Sequence, residues 1–140
     1  MITEKQLIAL LDSKDPLQQE LAFQHALADE AWKRIFHQRP DLAFALAQHS
    51  RLPQDIADEL SQHPDPKVRL MLARKGNPSF AGMQRLSNDE EAAIRMTLAK
   101  RPDLDQQFAE SLLEDRDFAV RWAAQRYQQE NLPLALASGW

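Results

Sequence analysis

Cysteine is absent from the 140 residues. That excludes disulfides, thiolate metal sites, iron–sulfur clusters and a cysteine nucleophile, and it agrees with a reducing compartment. Glycine occurs only three times, too rarely for a protein built from β-hairpins, whose tight turns draw on it. No stretch approaches the roughly 18 apolar residues of a membrane span. The opening run Met1-Ile2-Thr3-Glu4-Lys5-Gln6 lacks the apolar core of a secretory signal. The cytoplasm is therefore the expected location, with no membrane contact. A strong excess of one charge is missing too. The formal net charge of −4 gives no whole-chain pull towards nucleic acid or an anionic membrane.

Motifs that carry chemistry are equally scarce. There is no Gly-rich phosphate loop and no nucleophile-elbow serine. The four histidines, His25, His37, His49 and His63, contain no i, i+4 pair of the kind that binds zinc. His37 and His63 read as turn residues at one repeat position. The many carboxylates fall on helical stretches and read as solvated faces rather than an acid pair. No cofactor, no metal and no enzymatic activity are expected.

What is present is a period. Val68-Arg69-Leu70-Met71-Leu72-Ala73 returns as Ile94-Arg95-Met96-Thr97-Leu98-Ala99, and again as Val120-Arg121-Trp122-Ala123-Ala124, each step being 26 residues. One step earlier lies Leu42-Ala43-Phe44-Ala45-Leu46-Ala47, with the apolar pattern but no arginine. A further step back reaches Pro16, where Leu17 and Leu21-Ala22 fit after a one-residue slip. The segments between repeat as well: Leu60-Ser61, Leu86-Ser87 and Leu112-Leu113 follow the Pro-marked turns Leu52-Pro53, Asn77-Pro78 and Arg101-Pro102. The apolar spacing is helical and β-type alternation is absent. Each unit reads as helix, Pro turn, shorter helix, turn, and stacking of such units builds a continuous core.

The boundaries support this reading. Asp15-Pro16 and Asp65-Pro66 put a capping carboxylate before a proline that loses no bond at the first helical position. Thr3 with Gln6 can form a capping box. Trp32 and Phe36, with Ile35 between them, read as core. The expected layout is one domain over 1–140: a cap helix over 1–14, repeats over 15–130, and a half repeat or cap over 131–140. The fold expected is all-α, a right-handed α-solenoid of four to five ~26-residue repeats.

The pattern Asp-Pro-x-Val-Arg-x-x-Leu-Ala, then Asn-Pro, then Leu-x-x-x-Asp resembles the leucine-rich repeat variant, and HEAT-type repeats also use a Val-Arg helix. The resemblance covers residues 40–127 well and 15–40 loosely. It implies a superhelix of α-helices alternating with shorter helices, either α or 3₁₀. Some members of the family add a cysteine cluster holding iron and sulfur, which this chain has no residues to build.

On a helical wheel of ~100° per residue, Met71 and Leu72 share the core side with Val68, while Leu70 points away. Phe44, Leu70, Met96 and Trp122 thus form an apolar row at a position expected to be exposed, flanked by Gln48, Arg74, Lys100 and Arg126. Two readings follow. The row packs between neighbouring repeats or against a tail carrying Trp140, or it is a binding surface rimmed by polar groups. Asp55, Asp58, Glu59, Glu110, Glu114 and Asp115 crowd the second helices and suggest an acidic outer face. Arg69, Arg95 and Arg121 each follow an acid by four positions, namely Asp65, Glu91 and Asp117, and form an expected structural ladder. The favoured function is a non-catalytic module that binds a protein or peptide, which can be acidic, through its concave helical face. The alternatives are a nucleic-acid-binding protein like the HEAT-like DNA-repair glycosylases, less favoured on a thin basic row, and self-association into a homo-oligomer.

Overall fold

The computed structural model describes residues 2–25 and 27–130, with the side chains of 129 and 130 aside. The expected half repeat over 131–140 lies outside them. The described residues contain ten α-helices and no strand: α1 Glu4–Asp12, α2 Pro16–Ala22, α3 Asp29–Gln38, α4 Ala43–Ala47, α5 Gln54–Leu60, α6 Pro66–Lys75, α7 Phe80–Ser87, α8 Ala92–Ala99, α9 Gln106–Leu112 and α10 Phe118–Glu130. One turn of 3₁₀ helix, Pro40–Leu42, leads into α4. The short helices α5, α7 and α9 are α-helical.

The helix starts are where the sequence places them. Thr3 Oγ1 accepts from the Gln6 N–H at 3.1 Å and Gln6 Oε1 accepts from the Thr3 N–H at 2.9 Å, a closed capping box on α1. Asp15 and Asp65 cap α2 and α6 by accepting from Leu17 N–H and Lys67 N–H. Each removes one orphan donor from a first turn.

Packing follows the period. Helices α4, α6, α8 and α10 lie against one another in that order, α5, α7 and α9 do likewise, and successive helices join the two sets. Val68, Ile94 and Val120 are buried at 3%, 1% and 0% exposure, and Leu60, Leu86 and Leu112 at 1% or less. Residues one period apart therefore occupy matching core positions. Each such leucine removed from water contributes about 1.5–3 kcal/mol before entropy is counted.

The register of α2 differs from the expected one. Leu17 and Leu21 are exposed, at 70% and 46%, and Ala22 is the buried residue. The Gln19 amide donates to the Ser13 carbonyl at 2.6 Å, as Arg69 donates to the His63 carbonyl at 2.7 Å. Ser13 stands fifty positions before His63, so the slip is two residues rather than one. Apolar pattern alone misplaces it because Leu17 and Leu21 satisfy the helical spacing on the wrong face.

Candidate functional site

The arginine ladder exists, but its acids are not the expected ones. Asp65 is spent on capping, Asp117 Oδ1 accepts from Ala119 N–H and Val120 N–H, and Glu91 occupies the cap position of α8. Arg69 instead grips Asp89, with Nε and Nη2 at 2.8 and 3.3 Å from the two carboxylate oxygens. Arg95 grips Asp115 in the same way at 2.9 and 3.2 Å. Each arginine also donates from Nη1 to the carbonyl six residues before it: Arg69 to His63, Arg95 to Asp89, and Arg121 to Asp115. The reason is geometric. The helix starts within four residues of each arginine, so the i−4 acid sits at the cap and bonds backbone N–H groups. The fork then swings to the turn before the next helix of the same set. The two side-chain pairs are at most a tenth exposed, and Asp89 holds the Arg69 guanidinium in its charged form.

The apolar row is not one continuous exposed ridge. Phe44 and Trp122 are 44% and 51% exposed, but Leu70 and Met96 are half-buried and pack on the core. A wheel treats each helix alone, whereas α6 and α8 have a neighbour of the same set on both flanks. Among the described residues, α4 and α10 end that series and keep the large side chain open. Leu70 and Met96 form a low floor between two exposed aromatic ends.

The basic row is where the wheel puts it. Arg74, Lys100 and Arg126 are exposed. The Arg126 guanidinium lies 5.3 Å from the Trp122 ring centroid, a cation–π stack. Arg74 and Lys100, one period apart, line one hollow of about 200 Å³ together with Thr97, Arg101 and Pro102. No described carboxylate pairs with either of them, while Arg101 is fully engaged. Its Nη1 donates to the Ala73 and Gly76 carbonyls at the end of α6, and its Nε and Nη2 hold Asp103 at 3.0 and 2.9 Å. That pairing holds the Asp103 carboxyl below its ordinary range.

The same fork occurs at Arg39, which holds Asp41 and also Asp12 at the end of α1. Sequence reasoning missed this device, although Arg-Pro-Asp-Leu at 39–42 and 101–104 spells it out twice.

The acidic outer face is thinner than expected. Asp58 accepts from the Ser79 N–H at 2.8 Å and from the Ser79 hydroxyl, tying α5 to the cap of α7. Asp115 belongs to Arg95, and Asp55 pairs with Lys33 at 3.2 Å. Glu59, Glu110 and Glu114 remain as exposed carboxylates with no ion pair among the described residues.

The histidines do not converge, and among the described residues no three His, Asp or Glu stand together as metal ligands. His49 is the one the sequence undervalues. It is 1% exposed, edge-on to Trp32 at 4.7 Å and to Phe23 at 5.9 Å. Its Nδ1 accepts from the Arg51 N–H at 3.0 Å, which leaves Nε2 to donate to the His25 carbonyl at 3.1 Å. Burial pushes its pKa below the ordinary histidine value. This ring is a structural bolt, because both nitrogens are used inside the core.

Among the described residues no helix is long and apolar enough to cross a membrane. The chain matches no protein-family model, no curated protein and no solved structure.

Proposed function

We propose that the chain is a non-catalytic interaction module, a right-handed α-solenoid of ~26-residue units resembling the leucine-rich repeat variant and HEAT-type proteins. In this reading an acidic peptide segment of a partner protein lies across α6, α8 and α10. The observation that carries it is the hollow between Arg74 and Lys100, two cations on successive helices of one set that have no ion-pair partner among the described residues. A cation near a helix C-terminus is favoured by the helix dipole alone. Two of them facing one hollow also offer a receptor for a carboxylate side chain. The half-buried Leu70 and Met96 beside it, with Trp122 stacked under Arg126, provide apolar contact for the residues flanking the acid. Aromatic, Met and Arg side chains are the types enriched at such interfaces.

The test is fluorescence anisotropy with labelled ten-residue peptides carrying alternating Glu and Leu. A Gln-for-Glu counterpart and a single-stranded oligonucleotide of equal formal charge serve as comparisons. The acidic peptide is expected to bind with affinity that falls as salt rises. Arg74→Glu with Lys100→Glu is expected to weaken it by about tenfold or more, or about 1.4 kcal/mol. Equal binding of both peptides, or indifference to the double charge reversal, defeats the reading. Tighter binding of the oligonucleotide puts nucleic acid in the peptide's place.

A further inference from the structure

The hollow between α6 and α8 is lined by Arg74, Thr97, Lys100, Arg101 and Pro102, which bring three cations and no carboxylate. Asp103 cancels one of the three, because Arg101 holds it through Nε and Nη2 at 3.0 and 2.9 Å. Arg74 and Lys100 meet no carboxylate among the described residues. Two positive charges are therefore left over. Bare helix C-termini would repel an anion here, but these ends are covered. Arg101 Nη1 donates to the Ala73 and Gly76 carbonyls at the end of α6. The Lys100 and Arg101 N–H groups donate to the Thr97 and Leu98 carbonyls at the end of α8, at 3.2 and 3.1 Å. The Thr97 hydroxyl is spent on the Ala93 carbonyl at 2.8 Å. The donors open to a ligand are thus the two cationic side chains.

We propose that this hollow takes the phosphoryl group of a phosphorylated serine or threonine in the bound segment. The proposal rests on the acidic-segment reading above and narrows the acid from Asp or Glu to a phosphate monoester. Charge decides between them. A carboxylate leaves one of the two cations uncompensated, whereas a phosphate monoester brings about 1.5–2 negative charges at pH 7. A nucleic-acid phosphodiester brings only about one per phosphate. Donor geometry agrees. The two oxygens of a carboxylate are filled by one guanidinium fork. The three terminal oxygens of a monoester let the Arg74 fork and the Lys100 ammonium bind together. The hollow of about 200 Å³ holds several waters at about 30 Å³ each, so the larger anion enters by displacing water rather than side chains.

The test uses fluorescence anisotropy on the full chain with labelled ten-residue peptides of alternating Gln and Leu, in which one central residue is phosphoserine, Glu or Ser. At pH 7.5 the phosphoserine peptide is expected to bind at least about fivefold tighter than the Glu peptide, the gain from one further charge about 4 Å away in water. The preference is expected to shrink at pH 5.5, where the phosphoryl group takes up its second proton, near pH 6, while Glu stays ionised. The charged side chains around the hollow, Lys75, Arg101, Asp103 and Arg126 besides the two cations, include no histidine, and the Asp103 carboxyl lies below its ordinary range. Arg74→Gln with Lys100→Gln changes two exposed side chains and is expected to erase the preference. The proposal is overturned if Glu binds as tightly as phosphoserine, or if the preference survives either pH 5.5 or the double substitution. Tighter binding of a single-stranded oligonucleotide of equal formal charge overturns it as well. If the phosphoserine peptide fails while the alternating Glu and Leu peptide binds, the phosphoryl proposal falls and the acidic-segment reading stands. If both fail, both fall.

Discussion

The two halves of the molecule close their turns by different means. From α6 to α10, a buried arginine ties each turn to the next, with charged pairs at most a tenth exposed. From α1 to α4, Ala43 stands in the arginine position and His63 in the carboxylate position that would have met it, so both members of that rung are missing together. The joint is made instead by Trp32, Phe23 and His49, with Arg39 clamping the end of α1 to the turn before α4. Removing a full ion pair and filling the space with apolar groups is tolerable, whereas removing one partner is not. The N-terminal half appears as the apolar solution and the C-terminal half as the ionic one.

The largest effects come from breaking either solution outright. Trp32→Ala, at 1% exposure, is expected to cost about 3–5 kcal/mol in urea unfolding. Asp115→Ala leaves the Arg95 fork buried without its counter-charge and is expected to cost a similar ~3–5 kcal/mol. The two differ in rescue. Arg95→Met combined with Asp115→Leu is expected to recover most of that loss, because the charge that needed a partner has gone. If the double variant is no more stable than Asp115→Ala, the pair contributes by packing shape and not by charge matching.

A smaller change sharpens the comparison by grafting the ionic joint onto the apolar half. Ala43→Arg alone is expected to destabilise by about 1–3 kcal/mol through overpacking. With His63→Asp added, the loss is expected to shrink by about 1 kcal/mol or more, measured as a coupling energy in a double-mutant cycle. A coupling of zero means that the 43–63 geometry does not match that of the 69–89 and 95–115 rungs.

The bolt at His49 gives the halves different pH dependence. Its folded pKa lies below the ordinary value of 6.5, through burial first, then the nearby Arg51 charge, against a raising contribution from the His25 carbonyl. The unfolded chain therefore binds the proton first as pH falls. Stability is complete above about pH 7 and declines below the unfolded pKa, with a slope of at most about 1.4 kcal/mol per pH unit, until the folded group titrates. Urea midpoints at pH 7.5 and 5.5 are expected to differ more for the wild type than for His49→Gln. An equal difference assigns the pH dependence to other groups.

Much of this was legible in the sequence where one residue decides one local fact. Thr3, Asp15 and Asp65 announce their helix starts, because capping needs only the N–H groups two or three positions ahead. Val68, Ile94 and Val120 announce the period, because a core position repeats its chemistry. The partners of Arg69 and Arg95 were not legible, since the intervening turn and helix bring a residue twenty positions away closer than one four away. Leu70 and Met96 failed for a related reason: a neighbouring helix covers a flank that a single wheel leaves open. His49 was hidden because nothing local marks which of four histidines the aromatic rings enclose.

The smallest expected effect separates the halves by how independently they open. Thr3→Ala and Asp65→Ala each delete one capping acceptor, and each is expected to cost about 1 kcal/mol of helix stability. Among the described helices α1 packs mainly on α2 and α3, so its loss is expected to appear locally. In native-state hydrogen exchange, Thr3→Ala is expected to speed the amides of α1 with little change in the urea midpoint. Asp65→Ala falls at the N-cap of α6, which lies between α4 and α8 and cannot fray without releasing Arg69 from Asp89. Its cost is expected in the global transition, spread over the amides of α6 and α8 together. If both substitutions shift the global midpoint equally, the two halves open as one unit, and the difference in how their turns are closed has no consequence for cooperativity.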